Sequence, residues 1–404
     1  MPMTNPINPI SALHVVPSLN PNTGGPAVSV TGMARALSRS GVRTIIASLD
    51  YQEHGVSIEV GGCETILVTP TASGKMLRGW SPALAAAISR AASNGVDLIH
   101  NHALWMVPGI YARQTANRAK LPLVISPRGM LDPWSLRRSV VRKWVAGLLY
   151  EHRNLESARL LHATSDMEAD GIREFGLAQP IAIIPNAVDV PSANEIPPRR
   201  LLEDRFPQLR DRRWLLFMGR IDPKKGLDML LDAWRALGAD FPEWELVIAG
   251  PDLVGYRNVL EQMLPVAGSP RKTVTFTAML EGNFKNCALA HADAFVLPTR
   301  SENFGNTVAE ALAFGTPVVT TTAAPWADLV AHDCGWWVKP ETSSITAALE
   351  QALGQPAAHL KMMGIRGRRL VSEKYSWDAV GAQMASTYQW LLRGGAAPMW
   401  VRHS

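Results

Sequence analysis

Short apolar runs alternate with longer stretches of helical period from one end of the chain to the other. In the first half the runs are Leu13–Pro17, Arg43–Leu49, Thr65–Thr69, Asp97–His100, Leu123–Ser126, Leu160–Thr164 and Ile181–Ile184. Helical spacing occupies Ala27–Arg39, Pro82–Ser93, Met106–Ala119, Ser135–Glu156 and Asp166–Phe175. Runs this short, rich in Val and Ile and separated by helices, predict parallel strands joined by crossovers. Pro191–Arg200 reads PSANEIPPRR, which carries neither a helix nor an inner strand and predicts a linker. The alternation then restarts, with strands at Trp214–Met218, Glu245–Ala249, Val274–Thr277, Ala294–Leu297 and Pro317–Thr321. Helices are predicted at Leu227–Leu237, Gly255–Leu264, Asn283–Ala290, Thr307–Phe314, Ser343–Leu353, Ala357–Glu373 and about Trp377–Leu392. The pattern predicts an α/β fold of two doubly wound domains, 1–190 and 201–375, joined by the linker 191–200 and followed by a terminal helix within 376–395. The two domains are expected to face each other across a cleft, with ligand bound beyond the carboxyl ends of the strands.

Composition narrows the function classes. With 47% hydrophobic and 19% charged residues in 404, the chain can build sizeable cores. No run approaches the ~18 apolar residues of a spanning helix. Met1–Asn20 lacks a basic segment followed by an apolar one, and Cys63, Cys287 and Cys334 are too few and too scattered for a disulfide framework. A cytoplasmic setting is the expectation. The net charge of +5 comes without Lys/Arg blocks or a zinc-finger signature, so nucleic acid is not an expected partner.

The strongest chemical signal is Thr299–Val319, TRSENFGNTVAEALAFGTPVV, which runs from a predicted strand into a helix. Gly305 sits at the turn, where backbone can approach a ligand closely, and the first free N–H groups of a helix attract anions. Glu302 precedes the turn and Glu310 lies about one helical turn inside. By residue type alone these two are equally a capping acid and a solvent-facing helix Glu. Phe217-Met218-Gly219-Arg220 ends another strand and Lys225-Gly226 opens the next helix, so Arg220 and Lys225 can converge on one diphosphate. Asn22-Thr23-Gly24-Gly25-Pro26 is a weaker signal, a paired-glycine loop without dinucleotide-motif spacing.

Ser301-Glu302-Asn303-Phe304-Gly305, Glu310-Ala311-Leu312-Ala313 and Gly315-Thr316-Pro317-Val318-Val319 together resemble the signature of the family 4 retaining glycosyltransferases, with its two Glu residues separated by seven positions. Gly-Arg, four residues, then Lys-Gly resembles the family's pyrophosphate clamp, and Ile184-Pro185-Asn186-Ala187-Val188-Asp189 its segment before the linker. The resemblance implies a GT-B fold of two Rossmann-like domains, with acceptor bound by the first and nucleotide sugar by the second. The terminal helix, opened by Tyr375-Ser376-Trp377, would cross back to the first domain. The implied donor residues are Gly219, Arg220, Lys225, Glu302, Asn303, Phe304, Gly305, Asn306 and Glu310, of which Arg220, Lys225 and Glu302 would serve catalysis. Gly24 and Gly25 would face the acceptor. Arg128, with His102 nearby, stands where many members carry a His. Ala187 and Ala278 replace glycines common in the family.

No cofactor or bound metal is implied beyond the nucleoside-diphosphate sugar as co-substrate. Segments such as Ser126–Trp134 and Ala324-Pro325-Trp326 resemble bacterial enzymes of surface-polysaccharide assembly, which implies a glycan acceptor, commonly lipid-linked. The stretch Trp134–Tyr150 sets Arg137, Arg138, Arg142 and Lys143 beside Trp134, Trp144, Leu148 and Leu149, a composition suited to an anionic membrane surface on the inner face of the cell membrane. Other GT-B enzymes (a phosphorylase or a nucleotide-sugar epimerase) and a two-domain sugar-binding protein are the alternative readings.

Overall fold

The computed structural model describes residues 9–20, 25–102, 104–137, 140–237, 240–264 and 274–403. The chain divides into two compact units, one of 1–187 with 377–404 and one of 188–376.

The first unit is built on the strands β1 (Ser11–Ser18), β2 (Arg43–Leu49), β3 (Glu64–Val68), β4 (Leu98–His102), β5 (Leu123–Ser126), β6 (Leu160–Ala163) and β7 (Ile181–Ile183). They lie in the order β7-β6-β5-β4-β1-β2-β3, all parallel, and the short strand Val401–Arg402 adds antiparallel to β7. Successive side chains of a strand point to opposite faces. One face therefore buries Leu13, Ile99, Ile125 and Leu161. The other buries Ala12, Leu98, Val124, Leu160 and Ala182 against the helices Gly25–Arg39 and Trp377–Arg393. Gly32 allows the second helix to dock, since a Cβ there would lie 2.1 Å from the Trp377 ring.

Two residues along each strand from that apolar row, the same face turns polar: His14, His100, Ser126 and His162 stand side by side, with His102 beyond. Their hydrogen bonds fix one another's protons. The Ile184 carbonyl only accepts, so His162 donates to it from Nε2 at 2.8 Å and accepts at Nδ1 from Ser126 at 2.7 Å. Ser126 then accepts from His100 Nε2 at 2.7 Å, and His100 Nδ1 accepts from the Tyr388 hydroxyl at 2.6 Å. In parallel, Arg128 donates to His102 Nδ1 at 3.2 Å and His102 Nε2 to His14 Nδ1 at 2.8 Å. All four imidazoles are neutral. Burial, then the Arg128 charge, pulls His14 down to about 3; burial and the same cation pull His162 to about 3. His100 and His102 are lowered well below the ordinary histidine value, both by burial first, then His100 by His14 and His102 by His100.

The second unit holds β8 (Arg213–Met218), β9 (Trp244–Ala249), β10 (Val274–Ala278), β11 (Ala294–Leu297), β12 (Val318–Thr321) and β13 (Gly335–Val338), parallel in the order β10-β9-β8-β11-β12-β13. Residues 191–200 belong to this unit. Arg199 lies over the Trp214 ring at 4.0 Å and pairs with Glu203, which packs the polar segment down. The helix expected over Ser135–Glu156 is seen as Pro133–Arg137 and, from Val140, as a continuous helical run that passes from Val140–Ala146 through a π turn at Gly147–Glu151 into His152–Glu156. The π turn carries Glu151 inward, where it accepts the Trp105 N–H at 2.7 Å, and a Cβ on Gly147 would crowd the His152 ring.

The polar row sets an acid limit on stability. In the unfolded chain these imidazoles take up protons below their ordinary value of 6.5; in the folded chain they do not. The unfolded state therefore binds more protons, and stability falls as pH falls from about 6.5 towards 3, by about 1.4 kcal/mol per pH unit for each such His. Denaturant midpoints should drop between pH 7.5 and 5.5, a drop that Glu151 and Glu245, both raised to about 7 by burial, oppose in part, and His162→Asn should shallow the slope. An unchanged slope in His162→Asn would contradict the neutral row.

Candidate active site

The second sheet brings two strand-end loops together. After β8, Gly219 donates to the Ala249 carbonyl at 3.0 Å and the chain leaves the sheet at Arg220, which is exposed. Asp222 caps the short turn Pro223–Lys225 by accepting the Lys224 N–H at 2.9 Å. Gly226 follows with φ +68°, and a Cβ there would lie 2.1 Å from the Pro298 carbonyl oxygen. That contact seats the β8 loop against the loop after β11. Arg300 N–H and the Thr299 hydroxyl both donate to the Lys224 carbonyl, at 2.8 and 3.2 Å. The Arg300 guanidinium grips both Asp228 oxygens at 2.7 and 2.6 Å. Burial pushes the Asp228 carboxyl up, but the Arg300 bonds hold it below its ordinary range.

Within this frame Lys225 Nζ donates to Glu302 Oε2, both side chains being mostly buried. Burial opposes ionisation of Glu302, and the Lys225 charge and hydrogen bond outweigh it, so the carboxylate titrates below its ordinary value. Glu302 N–H is fixed on the Ala323 carbonyl at 2.9 Å. Asn303 and the buried Phe304 lead to Gly305 at φ +82°, which turns the chain into the helix Asn306–Ala313. Glu310, on that helix, accepts from Lys285 Nζ at 2.8 Å through one oxygen while the other is buried without a partner. Among the described residues no ion pair or side-chain hydrogen bond engages Arg220. The arrangement thus sets Lys225 and a carboxylate beside a helix start, with Arg220 exposed on the loop that carries Lys225. It can bind an anionic group next to hydroxyls.

The remaining expected residues lie in the first unit. Gly24 falls outside the described residues, and Gly25 is exposed as the first residue of its helix. His102 and Arg128 are buried in the polar row. Arg128, at φ +52°, donates to Ser29 and Asn186 at 3.0 and 3.1 Å as well as to His102, and burial lowers its guanidinium to about 10. His14, His100 and His102 bring ring nitrogens within 4.8 Å of one another. Most of those nitrogens are committed to hydrogen bonds and the Arg128 cation stands among them, so the donor set does not fit a metal ion. Lys285, Arg300 and Asp228 were not foreseen. Lys285 lies 25 positions from its partner, and only the position of Arg300 beside the motif could have drawn notice.

Two parallel doubly wound units with this site at the carboxyl end of the second sheet make the fold that of the GT-B glycosyltransferases. Sucrose-phosphate synthase from Thermosynechococcus elongatus superimposes with a TM-score of 0.75 at 21% identity, covering 96% of this chain and 100% of that one. HepE from Anabaena, solved with UDP-glucose, gives 0.70 at 20%, covering 94% and 99%. The Glycosyl transferase 4-like domain model matches residues 24–187, and the Glycosyl transferases group 1 model matches 212–355. The chain belongs to family 4 of the glycosyltransferases. A phosphatidyl-myo-inositol mannosyltransferase from Mycolicibacterium smegmatis is 31% identical over 216 residues, 52% of each chain, so this chain matches about half the length of that relative. A D-inositol 3-phosphate glycosyltransferase from Kineococcus radiotolerans is 26% identical over 96% of this chain and 95% of its own.

The Gly226 contact is directly testable. Gly226→Ala forces an Ala into the left-handed region and onto a backbone carbonyl, so it should cost at least about 2 kcal/mol in denaturant unfolding. A variant as stable as the parent would show that the two loops do not depend on this approach.

Proposed function

We propose that the protein is a retaining transferase moving a hexose from a nucleoside-diphosphate sugar to a glycan hydroxyl, on a lipid-linked acceptor of cell-surface polysaccharide synthesis. The observation that carries the reading is the convergence of Lys225, Glu302 and the Gly305 turn, with Arg220 leaving the neighbouring strand end. Arg220 and Lys225 would stabilise charge growing on the departing diphosphate, and the Gly305 and Asn306 amides would add to it. Glu302 would bind hydroxyls of the transferred sugar, and Glu310, held by Lys285, would accept from the ribose diol. The bond from the sugar's anomeric carbon to the diphosphate breaks with its electron pair going to the phosphate oxygen. The acceptor hydroxyl attacks from the same face and gives its proton to that oxygen. Neither a bound metal nor a cofactor takes part in this scheme. Relatives named as mannosyl- and glycosyltransferases, and a structural neighbour solved with UDP-glucose, support a nucleotide-sugar donor.

Thermal-shift screening with UDP, GDP and ADP and their sugars identifies the donor, since a ligand of the folded state stabilises it by mass action. Arg220→Ala or Lys225→Ala should then lower turnover roughly ten- to thousand-fold. Turnover within about twofold of the parent in both variants, a negligible barrier change, would remove the clamp from the mechanism.

Attachment to an anionic membrane surface is the second part of the proposal. Among the described residues no helix is long and apolar enough to cross a membrane. Between Val140 and Leu149 the chain exposes Val141 (74%), Trp144 (65%) and Leu149 (68%), with Val140, Val145 and Leu148 beside them. Contiguous exposed apolar side chains of this size mark an interaction surface. Arg137 lies on Pro133–Arg137, and Lys143 turns back to the Ser135 carbonyl. Arg138 and the Arg142 side chain lie outside the described residues. The exposed apolar side chains supply an insertion surface beside the basic residues of this stretch. The parent should co-sediment with anionic vesicles at low salt, and the pair Trp144→Glu with Leu148→Glu should stay in the supernatant; a parent that ignores such vesicles would end this assignment.

A further inference from the structure

The loop that carries Glu302 is held from beneath by a tryptophan to which no role has yet been given. Trp326, fully buried after β12, donates its indole N–H to the Phe304 carbonyl at 2.5 Å. Its ring packs in a tilted cluster with Phe304 at 5.3 Å between centroids and Tyr375 at 5.0 Å. The cluster is itself anchored. Tyr375 donates to Asp328 at 2.5 Å, Lys374 pairs with the same oxygen at 2.6 Å, and the Trp337 indole donates to the Ala324 carbonyl at 2.8 Å. A Cβ on Gly305 would meet Trp326 Nε1 at 3.2 Å and Glu302 Cγ at 3.3 Å, so the indole, the glycine and the carboxylate stem are in mutual contact.

The peptide bond between Phe304 and Gly305 is a planar unit, and its C=O and N–H point in opposite directions. A donor that fixes the carbonyl therefore fixes the amide. With the indole holding the Phe304 oxygen on the buried side, the Gly305 N–H is turned towards the side where the helix Asn306–Ala313 begins. We propose that Trp326 is a positioning residue which, through the Phe304 carbonyl, aims the Gly305 amide at the diphosphate of the donor. This rests on the donor-site reading above and adds to it a specific determinant of phosphate affinity, supplied by the loop after β12.

The test compares the nucleoside diphosphate that stabilises the parent most (from UDP, GDP and ADP) with its own nucleoside, by competition calorimetry. Trp326→Phe keeps a ring and removes the N–H. It should weaken diphosphate binding about three- to tenfold while nucleoside binding holds, the effect of releasing one oriented hydrogen bond. Trp337→Phe removes an indole hydrogen bond from the same loop without touching Phe304, and should leave that ratio unchanged. Gly305→Ala reaches the same amide independently of whether Trp326→Phe folds, because φ +82° strains an Ala; diphosphate affinity should again fall selectively. A lower melting temperature in Trp326→Phe with an unchanged ratio would make the indole a packing group only and overturn the proposal, as would an unchanged ratio in Gly305→Ala. A parent that binds no nucleoside diphosphate overturns the donor-site reading, and this proposal with it.

Discussion

The second unit depends on a contact that leaves no room for a side chain. Gly226 lies against the Pro298 carbonyl, closer than any Cβ could approach, and the loops on either side inherit their places from that meeting. Lys225 precedes the glycine and Glu302 follows the proline by four positions, so the ion pair is a consequence of backbone packing. Gly250 repeats the device one strand over: a Cβ there would lie 1.8 Å from the Gly219 carbonyl, and its N–H reaches the Ala278 carbonyl at 2.9 Å. Close backbone approach at successive strand ends places charged side chains on short, well-supported turns, which loses less precision than long flexible loops would.

The two units treat buried polarity differently. In the first, a row of imidazoles and hydroxyls crosses the sheet, with Tyr388, His100, Ser126 and His162 each donating in turn while His14 Nε2 has no partner among the described residues, and all its members but Arg128 are neutral. A neutral network in low dielectric avoids the desolvation cost of ions. It also ties Tyr388, and so the helix Trp377–Arg393, to β4, β5 and β6, although that helix is separated from them in sequence by the whole second unit. In the second unit ions around the site are partly buried and paired among themselves, as Lys225 with Glu302, Arg300 with Asp228 and Lys285 with Glu310. Charges kept at partial burial interact strongly with an incoming anion, which suits group transfer from a phosphate leaving group.

Much of this was legible in the sequence, for identifiable reasons. Buried parallel strands are short unbroken apolar runs, and that signal survives in every strand whose both faces are covered. It fails for β13, Gly335–Val338, an edge strand only half buried, and for the two-residue strand Val401–Arg402. Over Ser135–Glu156 the pattern gives the helix but not the π turn, which carries Glu151 to the Trp105 amide, a contact 46 positions away that no local pattern encodes. The motif residues around Glu302 were readable because backbone constraints fix their spacing: a left-handed turn needs Gly305, and a close approach needs Gly226.

What the sequence could not supply is the partner of each polar group. The resemblance implies His102 and Arg128 as cleft residues, near the place where many members carry a His, yet a strand end offers two faces. Side-chain parity puts His102 on the same face as His14, His100 and Ser126, and the helix Trp377–Arg393 covers it. Arg128 follows them inward because its left-handed backbone, followed by Gly129 at φ +73°, turns the side chain back under the sheet edge to Ser29 and Asn186. Holding an arginine in that conformation costs of order 1–2 kcal/mol, and its three hydrogen-bond partners offset the cost. Ser29 lies one turn into the helix opened by Gly25, and Asn186 lies at the last residues of the first unit before the chain leaves it. Arg128 therefore acts from inside: it joins the glycine loop, the strand-end histidine and the exit of the unit into one hydrogen-bonded node. A substitution there disturbs all three together, and that coupling, more than exposure to any ligand, is what its position in the fold provides.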